Sequence, residues 1–137
     1  IKMTTAEESR AFLLQKQSEE HLRNLALWKN AHADAEKIIH WIASHYHYKK
    51  IYQWGSVLHK EAFRDYSDID IAIEGLQTPG DIFEIIDYAG NMTSFPVDIV
   101  ELDKINPIFA NIIKNKAVIV CKGTTDNTDY TDKKRES

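Results

Sequence analysis

The sequence predicts an α/β (α+β) domain, in which a small mixed sheet of about four strands packs against helices and follows one long N-terminal helix. From residue 51 onward, short apolar segments alternate with amphipathic ones, which is the pattern of strands separated by helices. The first third of the chain instead has helical character without interruption. At 137 residues, 43% of them hydrophobic and 28% charged, the chain has the size and composition of one globular domain.

The first element is a helix that we expect to begin after Thr5. Thr5 and Glu8 have the spacing of a capping box, and neither proline nor glycine occurs from there to Tyr52. This pattern allows one long helix or two stacked segments. An apolar stripe recurs at steps of three and four residues and should face a sheet near Ile39 and Ile42: Leu25, Trp28, His32, Ala35, Ile39, Ile42 and Tyr46.

The front of this helix, residues 12–28, extends beyond the part that a small sheet would cover. It either packs on its own domain or meets another chain, and the sequence favours neither. In the second case its apolar side chains would form a docking face, for a partner protein or for a second copy in a homo-oligomer: Phe12, Leu22, Leu25 and Trp28.

The remaining elements follow from strand patterns and helix boundaries. Strands are expected over residues 51–54, 67–74, 96–102 and 117–122, with a brief helix over 57–62. Thr78 and Pro79 predict the start of a helix that Gly90 ends, and its apolar stripe should be Ile82, Ile85, Ile86 and Ala89. Asn106 and Pro107 predict the start of another helix, through residue 115.

The segment 67–74 alternates strictly between two kinds of side chain. Asp68, Asp70 and Ala72 share one face, which should point away from the core, and isoleucines occupy the other. Residues two apart lie about 6.6 Å from each other on a strand, so the two carboxylates can converge on metal ions. They repel each other without a cation, and oxygen ligands with no Cys or His between them favour Mg²⁺ or Mn²⁺ over Zn²⁺.

Two further signals complete a candidate site. Asp98 lies within the apolar run PVDIV, and a neighbouring strand would bring it beside the acidic pair. Gly55 and Ser56 end the first strand, where a glycine permits close backbone approach and amide hydrogens with a hydroxyl can bind phosphate. The order of these signals on alternating strands predicts phosphate and metal sites side by side.

The segment WGSVLHKEAFRDYSDIDIAI, followed by PVDIVEL, resembles the minimal nucleotidyltransferases (MNT) of the DNA polymerase beta superfamily. The resemblance covers about residues 38–122 and implies a polymerase-beta-like fold. It implies that Gly55 and Ser56 bind the triphosphate of ATP or another nucleoside triphosphate. It also implies that Asp68 and Asp70 coordinate two Mg²⁺ ions, and that Asp98 completes one metal site and helps to activate the acceptor hydroxyl.

The loop between these motifs departs from the family pattern. Eleven residues separate Ser56 from Asp68, and His59-Lys60 stands where many relatives have a basic residue followed by glycine. Lys60 and Arg64 are candidates to touch phosphates as mobile cations, although a solvated role fits equally. Ser67, directly before the acidic pair, is a further candidate nucleotide-binding residue.

The resemblance also implies a function. Free-standing minimal nucleotidyltransferases resemble the antitoxin of a toxin–antitoxin pair, in which AMP is transferred from ATP to a tyrosine of a HEPN toxin. Relatives that modify antibiotics or nucleic acids carry an additional acceptor-binding domain, for which this chain has no room. Two alternatives remain: a binding module that neutralises a partner by contact alone, and a small-molecule nucleotidyltransferase that works with a separate helical subunit.

Composition restricts the binding partners and the cellular compartment that we expect. The net charge of −4 argues against direct nucleic-acid binding, and no apolar run is long enough for a membrane span. The single cysteine, Cys121, fits a reducing compartment and a small buried side chain, so we expect a cytoplasmic protein. The expected division is an N-terminal helical extension over 1–37, a nucleotidyltransferase core over 38–122 and a polar, flexible tail over 123–137.

Overall fold

The computed structural model describes residues 5–123, and the predicted α/β class with a four-stranded mixed sheet is confirmed. The elements are α1 Ala6–His45, β1 Lys50–Trp54, β2 Ile69–Glu74, α2 Asp81–Asn91, β3 Val97–Glu101, α3 Pro107–Lys116 and β4 Val118–Lys122. The strand order is β3-β2-β1-β4, with β1 antiparallel to both of its neighbours. Strands β2 and β3 are parallel, and α2 forms the crossover between them. The expected tail lies outside the described residues, apart from Gly123.

Helix α1 is one continuous helix of 40 residues, which decides between the two arrangements that the sequence allowed. Its capping box is present, because the Glu8 amide donates to Thr5 Oγ1 at 3.0 Å and the Thr5 amide donates to Glu8 Oε1 at 2.8 Å. Residues 5–23 are exposed, and burial starts with Ala31. Since α1 is about 60 Å long at 1.5 Å per residue, its front half projects beyond the sheet.

The apolar side chains that are exposed on the front of α1 are not all those expected for the docking face. Phe12 and Leu22 are 58% and 64% exposed, and Leu13 and Leu14 are exposed beside them. Trp28, by contrast, packs against the core. The difference arises because the sheet and its loops reach further along α1 than the stripe alone indicated.

The main core lies between one face of the sheet and helices α1 and α2. Ile69, Ile71 and Ile73 of β2 are fully buried there, together with Phe63 from the loop before β2. Fully buried isoleucines on alternate positions are what the strand period requires. This face therefore contributes most of the apolar burial that stabilises the fold.

The opposite face of the sheet is covered only in part, which corrects the expectation that it points away from the core. Helix α3 packs on it through a second apolar cluster: Tyr52, Ala72, Leu102, Ala110 and Ile113. Ala72 is fully buried, although it shares its face with Asp70. Beside it, Glu74 accepts hydrogen bonds from the Tyr52 hydroxyl and from the Lys114 ammonium, both at 2.9 Å.

Two predicted helices differ from the structure, and β2 begins at Ile69, so Asp68 precedes the strand that was expected to include it. Helix α2 begins at Asp81, because Thr78 to Asp81 forms a turn in which the Asp81 amide donates to the Thr78 carbonyl and Gly80 has φ 92°. Gly90 lies inside the helix, which ends at Asn91, and Ile86 of the predicted stripe is exposed. The brief helix expected over 57–62 is instead two short 3₁₀ helices, Gly55–Leu58 and Lys60–Ala62.

Over residues 5–123, every helix is too short or too polar to cross a lipid bilayer.

Candidate active site

Three aspartates lie near one another where β2 and β3 begin. The parallel register pairs Asp70 of β2 directly with Asp98 of β3. Neighbouring strands lie about 4.8 Å apart and paired residues project from the same face, so these two side chains are adjacent. Asp68 precedes β2 and lies two residues before Asp70, and both Asp68 and Asp98 are exposed. We expected these residues to lie close together from the sequence, and the strand register brings Asp70 and Asp98 side by side.

Asp70 is the electrostatic centre of this group. Burial of its side chain, followed by the charges of Asp98 and Asp68, raises the pKa of Asp70 to about 6. A raised carboxylate pKa means that the charged form is disfavoured in this environment. A cation between the three groups would reverse that penalty.

The position of Asp70 is also fixed through its backbone. Gln53, a buried polar residue of β1, donates from Nε2 to the Asp70 carbonyl at 3.1 Å. Sequence reasoning missed this contact. The available signal was a glutamine inside the otherwise apolar strand core IYQW, which indicates a buried polar group in need of a partner.

Gly55 brings the loop after β1 into contact with Asp70. Its φ of 78° lies in the left-handed region, and a Cβ built on it would be 2.1 Å from Asp70 Oδ2. Only glycine accommodates both the conformation and the contact. Ser56 follows in the first turn of the 3₁₀ helix and is partly exposed. The predicted proximity of the Gly-Ser turn and the carboxylates is therefore a feature of the structure.

Of the three other candidate residues, Lys60 lies against α1, and Arg64 and Ser67 make contacts within the loop. Lys60 Nζ lies 5.6 Å from the centroid of the Trp28 ring. Arg64 Nη1 donates to the carbonyls of Glu61 and Phe63, at 3.1 and 2.8 Å. Ser67 is buried, and its Oγ accepts from the Arg64 amide at 3.0 Å. The contacts of Arg64 and Ser67 hold the turn before Asp68, and neither these contacts nor that of Lys60 with Trp28 join the three residues to the acidic group.

The donor chemistry of the acidic group fits a divalent cation. Asp68, Asp70 and Asp98 supply oxygen ligands only, which suits Mg²⁺ or Mn²⁺. Among residues 5–123, no three His, Cys, Asp or Glu side chains are gathered closely enough to form a ready-made metal site. The strand register brings the three residues near each other, and a cation would have to draw their carboxylates together.

Comparison with known proteins defines the class. Residues 36–125 match the protein family described as Polymerase beta, Nucleotidyltransferase. Because this match covers more than half of the chain, the chain belongs to that family. A search of curated protein sequences gave no significant match.

Several solved structures with a similar fold are of toxin–antitoxin pairs. One is described as a toxin–antitoxin with AMP-PNP, with 23% identity and a TM-score of 0.55, covering 68% of this chain and 77% of that one. Another is a tri-AMPylated Shewanella oneidensis HEPN toxin in complex with its MNT antitoxin, with 21% identity and a TM-score of 0.52, covering 71% and 76%. A third is the toxin–antitoxin MntA-HepT, with 20% identity and a TM-score of 0.52, covering 69% and 75%. At these identities the likeness shows the fold.

Proposed function

We propose that this protein transfers AMP from ATP to a tyrosine hydroxyl of a HEPN toxin and thereby acts as its antitoxin. One observation carries the catalytic part of the proposal: Asp70 lies opposite Asp98 in the parallel register and touches the Gly55 turn. The contact between this turn and an aspartate of the acidic group supports a triphosphate site beside divalent cations.

Each site residue has a proposed role. Asp68 and Asp70 hold two Mg²⁺ ions and Asp98 completes one of the two sites, with Mn²⁺ as an alternative. Gly55 and Ser56 bind the triphosphate. When bound, such a pair of ions stabilises the entering and the leaving oxygens of an in-line displacement. Lys60, Arg64 and Ser67 remain predictions, and the loop contacts of Arg64 and Ser67 favour a structural role for both.

The proposed reaction is a nucleotidyl transfer. The tyrosine oxygen forms a bond to the α-phosphorus, the bond from that phosphorus to the bridging oxygen breaks, and pyrophosphate leaves. The carboxylate of Asp98, which is exposed on β3, accepts the tyrosine proton. Holding the attacking oxygen and the phosphorus in line accounts for much of the rate that such a site supplies.

The toxin as acceptor is inferred from two observations. The front of α1 presents exposed apolar side chains, and exposed apolar patches are typical of surfaces that bind other proteins: Phe12, Leu13, Leu14 and Leu22. The structural neighbours include an MNT antitoxin bound to an AMPylated HEPN toxin. We place the reaction in the cytoplasm and assign it to residues 38–122.

The decisive experiment incubates the purified chain with ATP, Mg²⁺ and the protein encoded by its operon neighbour, and then measures the intact mass of that protein. We expect one or more AMP adducts on tyrosine, and none with the double variant Asp68→Asn, Asp70→Asn. An unmodified partner in the presence of the active chain would rule out the proposal.

The same double variant separates catalysis from contact. If it still protects cells fully from the toxin, the protein neutralises its partner by binding alone. Modification of an antibiotic or metabolite by the pair, with no adduct on the toxin, would instead support the small-molecule reading.

A further inference from the structure

Helix α1 holds the loop that follows Gly55 and Ser56. The Trp28 indole donates from Nε1 to the carbonyl of Val57 at 2.7 Å. Val57 comes directly after Ser56 in the chain, and its side chain is buried in the main core. A hydrogen bond to the backbone at this point restricts the loop next to the proposed triphosphate turn.

The same indole contacts a second point of the loop. Lys60 Nζ lies 5.6 Å from the centroid of the Trp28 ring, within the range of a cation–π interaction. The His32 ring packs beside the indole, with a centroid distance of 5.0 Å, and so restricts its orientation. Residues on both sides of the bend at His59 are thus tied to one side chain of α1.

These contacts act together with the contact between Gly55 and Asp70. One side of the loop is against a carboxylate of the site, and the other is against Trp28. We propose that Trp28 is a positioning residue, whose indole fixes the proposed triphosphate-binding loop at its distance from the acidic group. The proposal rests on the nucleotidyl transfer proposed above and assigns to α1 a part in binding the nucleotide.

The first test needs no nucleotide. Trp28→Phe keeps an aromatic ring for Lys60 but removes the indole N–H, and hydrogen exchange is measured on the full chain by mass spectrometry. We expect exchange over residues 55–62 to become roughly three- to tenfold faster, because one hydrogen bond is lost, with no change over β2. Trp41→Phe is the matched control, since Trp41 packs on His45, Tyr46 and Tyr88 at the other end of α1. Unchanged exchange in the loop of Trp28→Phe overturns the proposal.

The second test compares ATP with AMP, which lacks two phosphates of the triphosphate. By calorimetry with Mg²⁺, Trp28→Phe should bind ATP roughly three- to tenfold more weakly and AMP as the unaltered chain does. In AMP transfer to the partner, KM for ATP should rise with kcat nearly unchanged. Trp28→Leu, which loses the ring as well, should show the larger effect.

The outcomes separate the two proposals. Equal weakening of ATP and AMP in Trp28→Phe would mean a general structural role and would overturn the positioning role alone. Failure of the unaltered chain to bind ATP would overturn both proposals. This outcome is distinguishable, because it is measured on the unaltered chain before any variant is made. ATP binding without AMP transfer to the partner would overturn the proposed acceptor and leave the positioning role supported.

Discussion

The two faces of strand β2 use the same alternation for opposite purposes. On one face, Ile69, Ile71 and Ile73 are fully buried under α1 and α2. On the other, Asp70 is half-buried and repelled by its neighbours, and Ala72, two residues on, is buried under α3. The isoleucine face therefore stabilises the sheet. That stability allows the other face to hold Asp70 in a position where its charge is disfavoured.

The second face of β2 is divided into a part that α3 covers and a part that carries Asp70. Helix α3 covers the end of the sheet at Ala72 and Glu74, where Tyr52 and Lys114 partner the glutamate. Burial alone would raise the pKa of Glu74, but its hydrogen bonds to Lys114 and Tyr52 and the charges of Lys114 and Lys50 lower it overall. Glu74 is thus a structural carboxylate with hydrogen-bond partners, whereas burial and the charges of Asp98 and Asp68 raise the pKa of Asp70.

The largest expected effect is on catalysis. Asp70→Asn should reduce AMP transfer by at least about a hundredfold, since even partners of metal ligands commonly cost 10- to 100-fold. The fold should persist, because the substitution is close in shape and removes a disfavoured charge. Steady-state transfer rates and a thermal melt measure the two effects, with Asp87→Asn on the exposed side of α2 as the matched control. Activity close to that of the control would remove Asp70 from the proposed metal site.

The next effect is on stability, from the opposite face of the same strand. Ile71→Ala should lower the free energy of unfolding by about 3 kcal/mol, because it deletes fully buried methyl groups and leaves a cavity. Urea denaturation measures the loss. Val118→Ala on the exposed strand β4 is the control and should cost less than about 1 kcal/mol. Similar losses in the two variants would mean that the isoleucine face is not the stabilising one.

A smaller loss of stability is expected at the turn between the strands. Gly55→Ala introduces a Cβ against Asp70 Oδ2 at a residue with φ 78°, and it should cost about 1 to 3 kcal/mol as well as displacing the carboxylate. Gly90→Ala is the matched control, since it lies inside α2 with open space around it. That control should be neutral or stabilising by up to about 1 kcal/mol. Equal stability and activity of both variants would contradict the assigned contact.

The smallest effect is a pH dependence in the absence of Mg²⁺. The pKa of Asp70 in the folded protein, about 6, lies above the ordinary value of 3.8, so the folded state binds the extra proton between these values. Stability contributed by this group is therefore lost as pH rises through that window. Asp70→Asn should be as stable as the parent near pH 4 and more stable by about 1 kcal/mol at pH 7, after allowance for solvent screening. Urea denaturation at each pH checks the sign, and a parent that is the more stable at pH 7 would refute it.

Strong local signals made much of this arrangement predictable. The capping box at Thr5 and Asn106 before Pro107 predicted where α1 and α3 begin, because these side chains accept from amides that the helix leaves free. The start of α2 was wrong. Thr78 and Pro79 satisfy the same rule, but Gly80 adopts a left-handed conformation and a turn forms in their place.

Some of the residues proposed to act in the site could be identified from the sequence, and others could not. Asp68, Asp70 and Asp98 stood out because carboxylates are rare among apolar strand residues. Trp28 did not, because in an amphipathic stripe a tryptophan indicates burial and gives no information about what its N–H meets. Its partner, the Val57 carbonyl, is 29 residues away in the chain.

The sequence by itself determined the class of fold, the strand that carries Asp70 and the turn that carries Gly55 and Ser56, since each depends on the spacing of neighbouring residues. Tertiary structure alone decided which strand lies beside β2, how Asp98 comes into register with Asp70, how much of that face α3 covers and which part of α1 remains exposed. These depend on packing between segments far apart in the chain, where the free energy of burial selects among arrangements that local periodicity leaves equivalent.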